Sequence, residues 1–378
     1  MPYITVMQAG KTHQVTFEDI LLDRVPFFNA NPSGKTGGTV TFFVRRSETM
    51  ERHLRSVNVQ QLIAVLETFN SMHEELFAAD RQSLYHTFYI PKHSRGFRRI
   101  DEPLPQLMDA LRQLKTILEE RFNALYHTSA FAYIKGRSTI DAIRKHQQNK
   151  SRWFLKTDFS DFFGSTSEDF VWNMFSRIFP FSEVAANERG AAALRKALSL
   201  CFLNGGLPQG TPVSPTITNI MMIPFDHMVT NELVKKGYIY TRYADDILIS
   251  HRESFDYNAV CKYIEGALTK FKAPFSIKPS KTRYGSSSGR NWNLGVMLNK
   301  DNKITVGRKK KEYLKAACNN YVRDKKDGIN WDPHDVSVLR GNISYYEMVE
   351  PDYLKQFLDW FNGKNGVNLK QMLRDDLR

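Results

Sequence analysis

Cysteine is scarce. Only Cys201, Cys261 and Cys318 occur in 378 residues, and no two stand in a C-x-x-C spacing. Neither a disulfide framework nor a thiolate zinc site is indicated, and a reducing compartment fits. There is no run of eighteen apolar residues to span a bilayer, and the opening MPYITVMQAGKTHQ lacks the apolar core of a signal peptide. The expectation is a cytoplasmic protein without a membrane partner. None of the ten histidines stands in an H-E-x-x-H spacing. PSGKT at 32–36 ends like a phosphate-binding loop, but Asn29 stands where that loop needs its first glycine. Internal repeats and long low-complexity tracts are also lacking.

What the chain does have is positive charge. Lys and Arg number 53 against 40 Asp and Glu, a formal net charge of +13. Such an excess favours a polyanionic partner, because cations that neutralise phosphates release condensed counterions. The 42% hydrophobic share is ordinary and supports a sizeable core.

Residues 1–80 form a leading region that ends in a helical pattern through Val59, Leu62, Ile63, Val65, Leu66 and Phe69. From about residue 84 the texture is mixed. YHTFYIPK reads as a strand, Leu104 to Phe122 as a helix, WFLKTD at 153–158 as a strand, and Ala191 to Leu203 as a helix. Ser214-Pro215 predicts an N-cap and first helical position opening one helix towards Lys235. YIYTRY and DILIS read as a hairpin with Ala244-Asp245 at its turn. After Gly307 the pattern is helical through about Arg323, then over Val336 to Met348 and Tyr353 to Phe361. On the first of these helices Arg308, Lys311, Lys315, Asn319, Val322 and Lys326 share a face, while Leu314, Ala317 and Tyr321 share another. The basic face suits phosphates, and an ordinary solvated face is the competing reading.

Transfer of a phosphoryl group between two divalent ions needs carboxylates converging from different strands, and hard oxygen ligands suit magnesium. Asp245 and Asp246 at a hairpin turn supply two carboxylates, and Asp158 at the end of WFLKTD is a candidate third. Alone, a Tyr-Ala-Asp-Asp sequence means little, since paired aspartates commonly cap turns. Its companions FLKTDFSDFF at 154–163 and LPQGTPVSP at 207–215 occur in order ahead of it.

Together these three motifs resemble the palm of bacterial reverse transcriptases. The resemblance implies an α+β right-hand polymerase fold. Fingers and palm, with an antiparallel sheet flanked by helices, would span 81–298, an all-helical thumb 299–378, and an N-terminal extension 1–80. It implies RNA-directed DNA synthesis with two Mg²⁺ ions, for which Mn²⁺ could substitute, held by Asp158, the Phe159 carbonyl, Asp245 and, less directly, Asp246. Lys281 would protonate the leaving pyrophosphate, although a charged strand end explains it almost as well. Phe163 stands where the family places an aromatic that excludes a ribose 2′-hydroxyl; packing beside Phe162 is the alternative. Gln209 and Gly210 would line the nascent base pair, with Asp161 in the same nucleotide-facing set. IPKHSRGFRRIDEP at 90–103 resembles the fingers hairpin, with Arg98 as first choice for a triphosphate clamp and Lys92 and Arg99 behind it. A solvated basic hairpin competes with that reading. Lys135 and Arg137 in FAYIKGRSTIDAI could contact the template backbone, and Asn293-Leu294-Gly295-Val296 resembles the primer grip. Arg308, Lys311 and Lys315 then fall where the thumb should hold a duplex.

The group implied includes group II intron, retron and defence-associated enzymes. Retron enzymes tend to carry an NAxxH element and VTG near the primer grip, and this chain departs from both: His146 follows Asp141-Ala142 one position late, and Leu294-Gly295-Val296 replaces VTG. The expected partners are dNTPs, a DNA primer or product, and an RNA template, preferably a dedicated non-coding RNA used in antiphage defence. Template-independent dNTP addition and a non-catalytic RNA-binding scaffold are the alternatives.

Overall fold

The structure is a computed structural model, and it describes residues 3–8, 11–16, 58–92, 96–120, 126–288, 292–293 and 295–377. The GKT segment at 32–36, Leu294 of the proposed primer grip and the expected helix end at Phe122 lie outside these residues. The described chain divides into two compact units. The first comprises residues 1–138, 156–249 and 256–282; the second comprises 139–155, 250–255 and 283–378.

In the first unit, Tyr85–Pro91 and Phe97–Pro103 pair antiparallel, with Tyr89 opposite Arg99 and Ile90 opposite Arg98. Strand alternation places Arg98 and Ile100 on one face of this hairpin and Arg99 and Asp101 on the other. Helix Val59–Met72 starts at Asn58, whose side chain accepts from the Gln61 N–H. It buries Leu62, Ile63, Leu66 and Phe69, whereas Val65, expected in the same apolar pattern, is exposed on the outer side of the helix. Asn70 donates to the Ala193 carbonyl at 2.9 Å, and Glu67 accepts from Arg189 on the neighbouring helix Glu188–Ser199. That helix is capped by Asn187 and ends at Ser199, a few residues on the N-terminal side of the expected span.

The single helix expected from Ser214 to Lys235 is two, Ser214–Met221 and Ile223–Lys235. Pro224 in the first turn of the second has no N–H to continue the ladder, so the axis restarts at Met222. Ser214 is the first helical residue rather than the cap, and its hydroxyl donates to the Pro208 carbonyl at 3.0 Å.

The strand order of the four-stranded sheet is Ile239–Tyr243, Asp246–His251, Trp153–Asp158, Arg283–Ser286. The first unit holds the ends of these strands that meet at the 243–246 turn and at Asp158. A fully buried ion pair underlies that turn. Arg242 Nη2 donates to Asp226 Oδ2 at 2.7 Å with neither side chain exposed, and the Tyr240 hydroxyl donates to Asp226 Oδ1 at 2.7 Å. The remaining guanidinium nitrogen reaches the Ala244 carbonyl at 3.1 Å.

The second unit contains helix Thr139–Gln148, a small sheet of order Ile304–Thr305, Val296–Leu298, Trp292–Asn293, and helices Arg308–Lys326, Pro333–Val349, Pro351–Asn365 and Leu369–Asp375. On Arg308–Lys326 the buried stripe is Leu314, Cys318, Tyr321 and Val322. It therefore differs from the expected one: Cys318 replaces Ala317, and Val322 leaves the basic face for the core. His146 is fully buried, with Nδ1 2.6 Å from Ser250 Oγ, which in turn donates to Ser151 Oγ at 2.7 Å. Among the described residues no helix is long and apolar enough to cross a membrane.

Candidate active site

Asp158 ends its strand at the centre of a three-way junction. On one side the Phe159 N–H donates to the Asp245 carbonyl at 3.1 Å, tying the strand end to the hairpin turn. On the other, the Lys278 N–H donates to the Asp158 carbonyl and the Ser160 N–H to the Ser276 carbonyl, each at 2.8 Å. A short 3-10 turn at Pro279–Lys281 then carries Lys281 back, so that its ammonium is ion-paired with Asp158 Oδ2. Four residues distant in sequence, Asp158, Asp245, Asp246 and Lys281, are thus brought together by backbone bonds. Phe159, Phe162, Phe225 and Phe275 form the floor, with ring centroids 4.9–5.9 Å apart in their contacts.

The electrostatics follow from crowding. Burial holds the Asp245 carboxyl above its ordinary range, and the Asp246 and Asp158 charges push the same way while Lys281 opposes them. The Lys281 ammonium is held above its usual value, chiefly by its hydrogen bond to Asp158. Lys156, unremarked in the sequence, pairs with Asp246 Oδ1 at 3.2 Å. Among the described residues no three carboxylate, imidazole or thiol side chains are already gathered as a ligand cluster. The donor chemistry nevertheless suits a divalent cation. Asp158 is 2% exposed, and its Oδ1 is buried without any hydrogen-bond partner. A buried carboxylate oxygen left that way is costly unless a cation completes it.

The nucleotide-facing candidates separate by face. Strand alternation puts Arg98 on the Ile100 face of the hairpin; burial raises the Tyr133 phenol above its usual value, with the Asp245 charge adding to the shift and the Arg98 charge opposing it. Arg99 is on the opposite face, its guanidinium bonded at 2.8 Å to Asp101, which also accepts from Thr87. That role is within the hairpin, and it differs from the phosphate contact expected of Arg99. Lys92 is exposed, its N–H closing the hairpin on the Gly96 carbonyl. The Gln209 carbonyl accepts from the Asp101 N–H at 2.8 Å. At Gly210, φ is +120°, and a Cβ would stand 2.9 Å from the Asp101 oxygen and from Ile100 Cγ2. The close approach for which Gly210 is needed is to the strand Phe97–Pro103, where the sequence suggested a base pair.

Phe163 is half-buried and edge-on to Phe162 at 5.4 Å; its carbonyl accepts from the Leu207 N–H at 2.9 Å. Asp161 is exposed with φ of 45°, and its carbonyl receives the Ser165 N–H and hydroxyl. Lys135 is exposed. Arg137 is not available to a template in this arrangement, because its guanidinium donates to the carbonyls of His127, Ala130 and Tyr126 at 2.5, 2.6 and 3.2 Å.

In the second unit, Lys311 is drawn out of the expected basic face. Its ammonium pairs with Glu350 at 2.6 Å and sits 4.0 Å from the centre of the Tyr353 ring. Arg308 makes an exposed pair with Glu312, and Lys315 is exposed.

A family model described as reverse transcriptase (RNA-dependent DNA polymerase) matches residues 90–314, more than half of the chain. Retron Ec83 reverse transcriptase of Escherichia coli is 26% identical over 281 residues, covering 72% of this chain and 85% of that protein. Retron Ec73 reverse transcriptase of Escherichia coli is 26% identical over 235 residues, covering 60% and 72%. Retron Mx162 reverse transcriptase of Myxococcus xanthus is 26% identical over 300 residues, covering 74% and 60%. Among solved structures, telomerase from Candida albicans in complex with a TWJ fragment of telomeric RNA aligns with a TM-score of 0.46 at 12% identity, over 79% of this chain and 59% of that one. This chain belongs to the reverse transcriptase family of RNA-dependent DNA polymerases.

Proposed function

We propose that the chain extends a primer hydroxyl with dNTPs by two-metal phosphoryl transfer, copying a dedicated non-coding RNA in bacterial antiphage defence. The observation that carries the chemistry is the unpartnered buried Oδ1 of Asp158, set beside Asp245 by the Phe159–Asp245 backbone bond. Enzymes of this family use divalent metal ions. Here Asp158, Asp245, Asp246 and the Phe159 carbonyl would hold two Mg²⁺. Bound there, the ions would activate the attacking hydroxyl and neutralise charge on the α-phosphate and the leaving pyrophosphate.

The remaining work falls to the chain. Lys281, kept protonated beside Asp158, is placed to give a proton to the departing pyrophosphate. Arg98 offers a guanidinium to the triphosphate from the fingers strand. The Phe163 ring would lie under the sugar, so that a 2′-hydroxyl would meet carbon rather than a hydrogen-bond partner. The similarity to retron enzymes of two bacterial species supports a template supplied by a dedicated RNA.

The test is to incubate the purified protein and its copurifying RNA with magnesium and labelled dNTPs, and to sequence the product. DNA complementary to one discrete RNA is expected. Homopolymeric or random product would replace templating with terminal addition, and no product with any RNA would leave a binding scaffold.

A further inference from the structure

Tyr133 has no part in the chemistry described so far, yet it stands beside it. Its side chain is 59% exposed, and its backbone is left-handed, with φ of 58°. A bulky residue adopts that conformation only where the surroundings enforce it, and such residues cluster at functional sites.

The enforcement is visible. The Arg242 N–H donates to the Ser129 carbonyl at 2.7 Å and the Phe131 N–H to the Arg242 carbonyl at 2.9 Å, forming a parallel bridge between Ala130 and Arg242. Asn219 Nδ2 donates to the Ala132 carbonyl at 2.8 Å. Arg242 Nη1 in turn donates to Asn219 Oδ1 at 3.3 Å and to the Ala244 carbonyl at 3.1 Å, so the residue before Tyr133 and the residue before Asp245 are held by the same two side chains. The fingers strand supplies Arg98 to the same place, and the charges of both Asp245 and Arg98 act on the phenol. The ring is therefore an exposed aromatic surface that feels both a carboxylate of the reacting centre and a cation suited to a triphosphate.

We propose that Tyr133 is a positioning residue for the incoming nucleoside triphosphate, its ring packing on the sugar and base while Arg98 holds the phosphates. This rests on the polymerase reading above. An aromatic face accepts any of the four bases, which suits a polymerase whose sequence choice belongs to the template.

The experiment uses the full chain on a defined RNA template with a DNA primer and Mg²⁺, reading incorporation against dNTP concentration and template–primer affinity separately. Wild type is measured first; if it incorporates nothing, the polymerase reading falls and this proposal with it. With wild type active, Tyr133→Ala is expected to raise KM for dNTP about tenfold or more, while kcat stays within about threefold and template–primer affinity is unchanged. Tyr133→Phe keeps the ring and should stay within about threefold of wild-type KM. Either of two results would overturn the proposal while leaving the polymerase reading intact: KM unchanged in Tyr133→Ala, or weakened template binding with normal KM. Matching urea midpoints for the variants separate these effects from misfolding, which an exposed side chain is not expected to cause.

Discussion

Replacing Arg242 with alanine should damage the protein far more than loss of a surface arginine would. Both partners of its ion pair have no solvent exposure, so Asp226 would keep a buried charge with only the Tyr240 hydroxyl donating to it. Breaking a buried pair from one side costs about 3–5 kcal/mol. The Ala244 carbonyl, which receives Arg242 at 3.1 Å, would lose that donor as well, and an unsatisfied buried group adds roughly 1–3 kcal/mol. Against a typical total stability of about 5–15 kcal/mol, Arg242→Ala should be close to unfolding. A triple replacement, Asp226→Leu with Tyr240→Phe and Arg242→Met, removes the buried ion pair and the Tyr240 hydroxyl together, leaving only the Ala244 carbonyl and Asn219 Oδ1 without the guanidinium, and should recover to within about 2 kcal/mol of wild type. Activity should not recover with it. Ala244 has φ of 57°, and without the guanidinium on its carbonyl the turn presenting Asp245 loses a support. Urea unfolding measures the first effect and single-turnover dNTP incorporation the second. Arg242→Ala within about 1 kcal/mol of wild type would refute the energetic reasoning. A triple variant both stable and fully active would refute the positioning role.

Three further outcomes are expected. Gly210→Ala should destabilise by about 1–3 kcal/mol in urea unfolding, since φ of +120° and two 2.9 Å approaches both oppose a side chain. Burial holds the His146 imidazole down at about 3, from a usual 6.5. As pH falls through that window the unfolded chain takes up a proton that the native chain refuses. Stability should therefore fall by up to about 1.4 kcal/mol per pH unit, and His146→Gln should flatten the slope of unfolding free energy against pH. Phe163→Val should narrow the preference for dNTP over rNTP about tenfold or more in kcat/KM, and an unchanged ratio would return Phe163 to a packing role.

The three aspartates could be singled out because they lie in two of three short motifs whose order is informative, at a strand end and a tight turn that local sequence specifies. The strand Trp153–Asp158 has the span read from sequence, and the hairpin turn falls at Ala244-Asp245 as expected. What supports the centre was not legible. Arg242 is inside a strand buried on both faces, where alternation carries no signal, and Asp226 comes from a helix sixteen residues earlier. Arg137 and Lys311 looked like phosphate ligands because charge is visible in sequence and its partner is not. Backbone carbonyls engage the first, and Glu350 with Tyr353 engages the second. The break at Met222 was overlooked because Pro224 lay within an otherwise continuous apolar pattern. His146, one position late for a retron element, argued against that kinship, yet retron enzymes are among the relatives. Its burial against Ser250 is a contact between segments far apart in sequence.

The most direct measurement is extension of a DNA primer on an RNA template of known sequence, comparing wild type with Asp158→Asn and Asp245→Asn in Mg²⁺ and in EDTA. Expected is a product complementary to the RNA from wild type, abolished by EDTA and reduced about a hundredfold or more in either variant. Equal synthesis by wild type and both variants would contradict the assignment of the chemistry to these carboxylates.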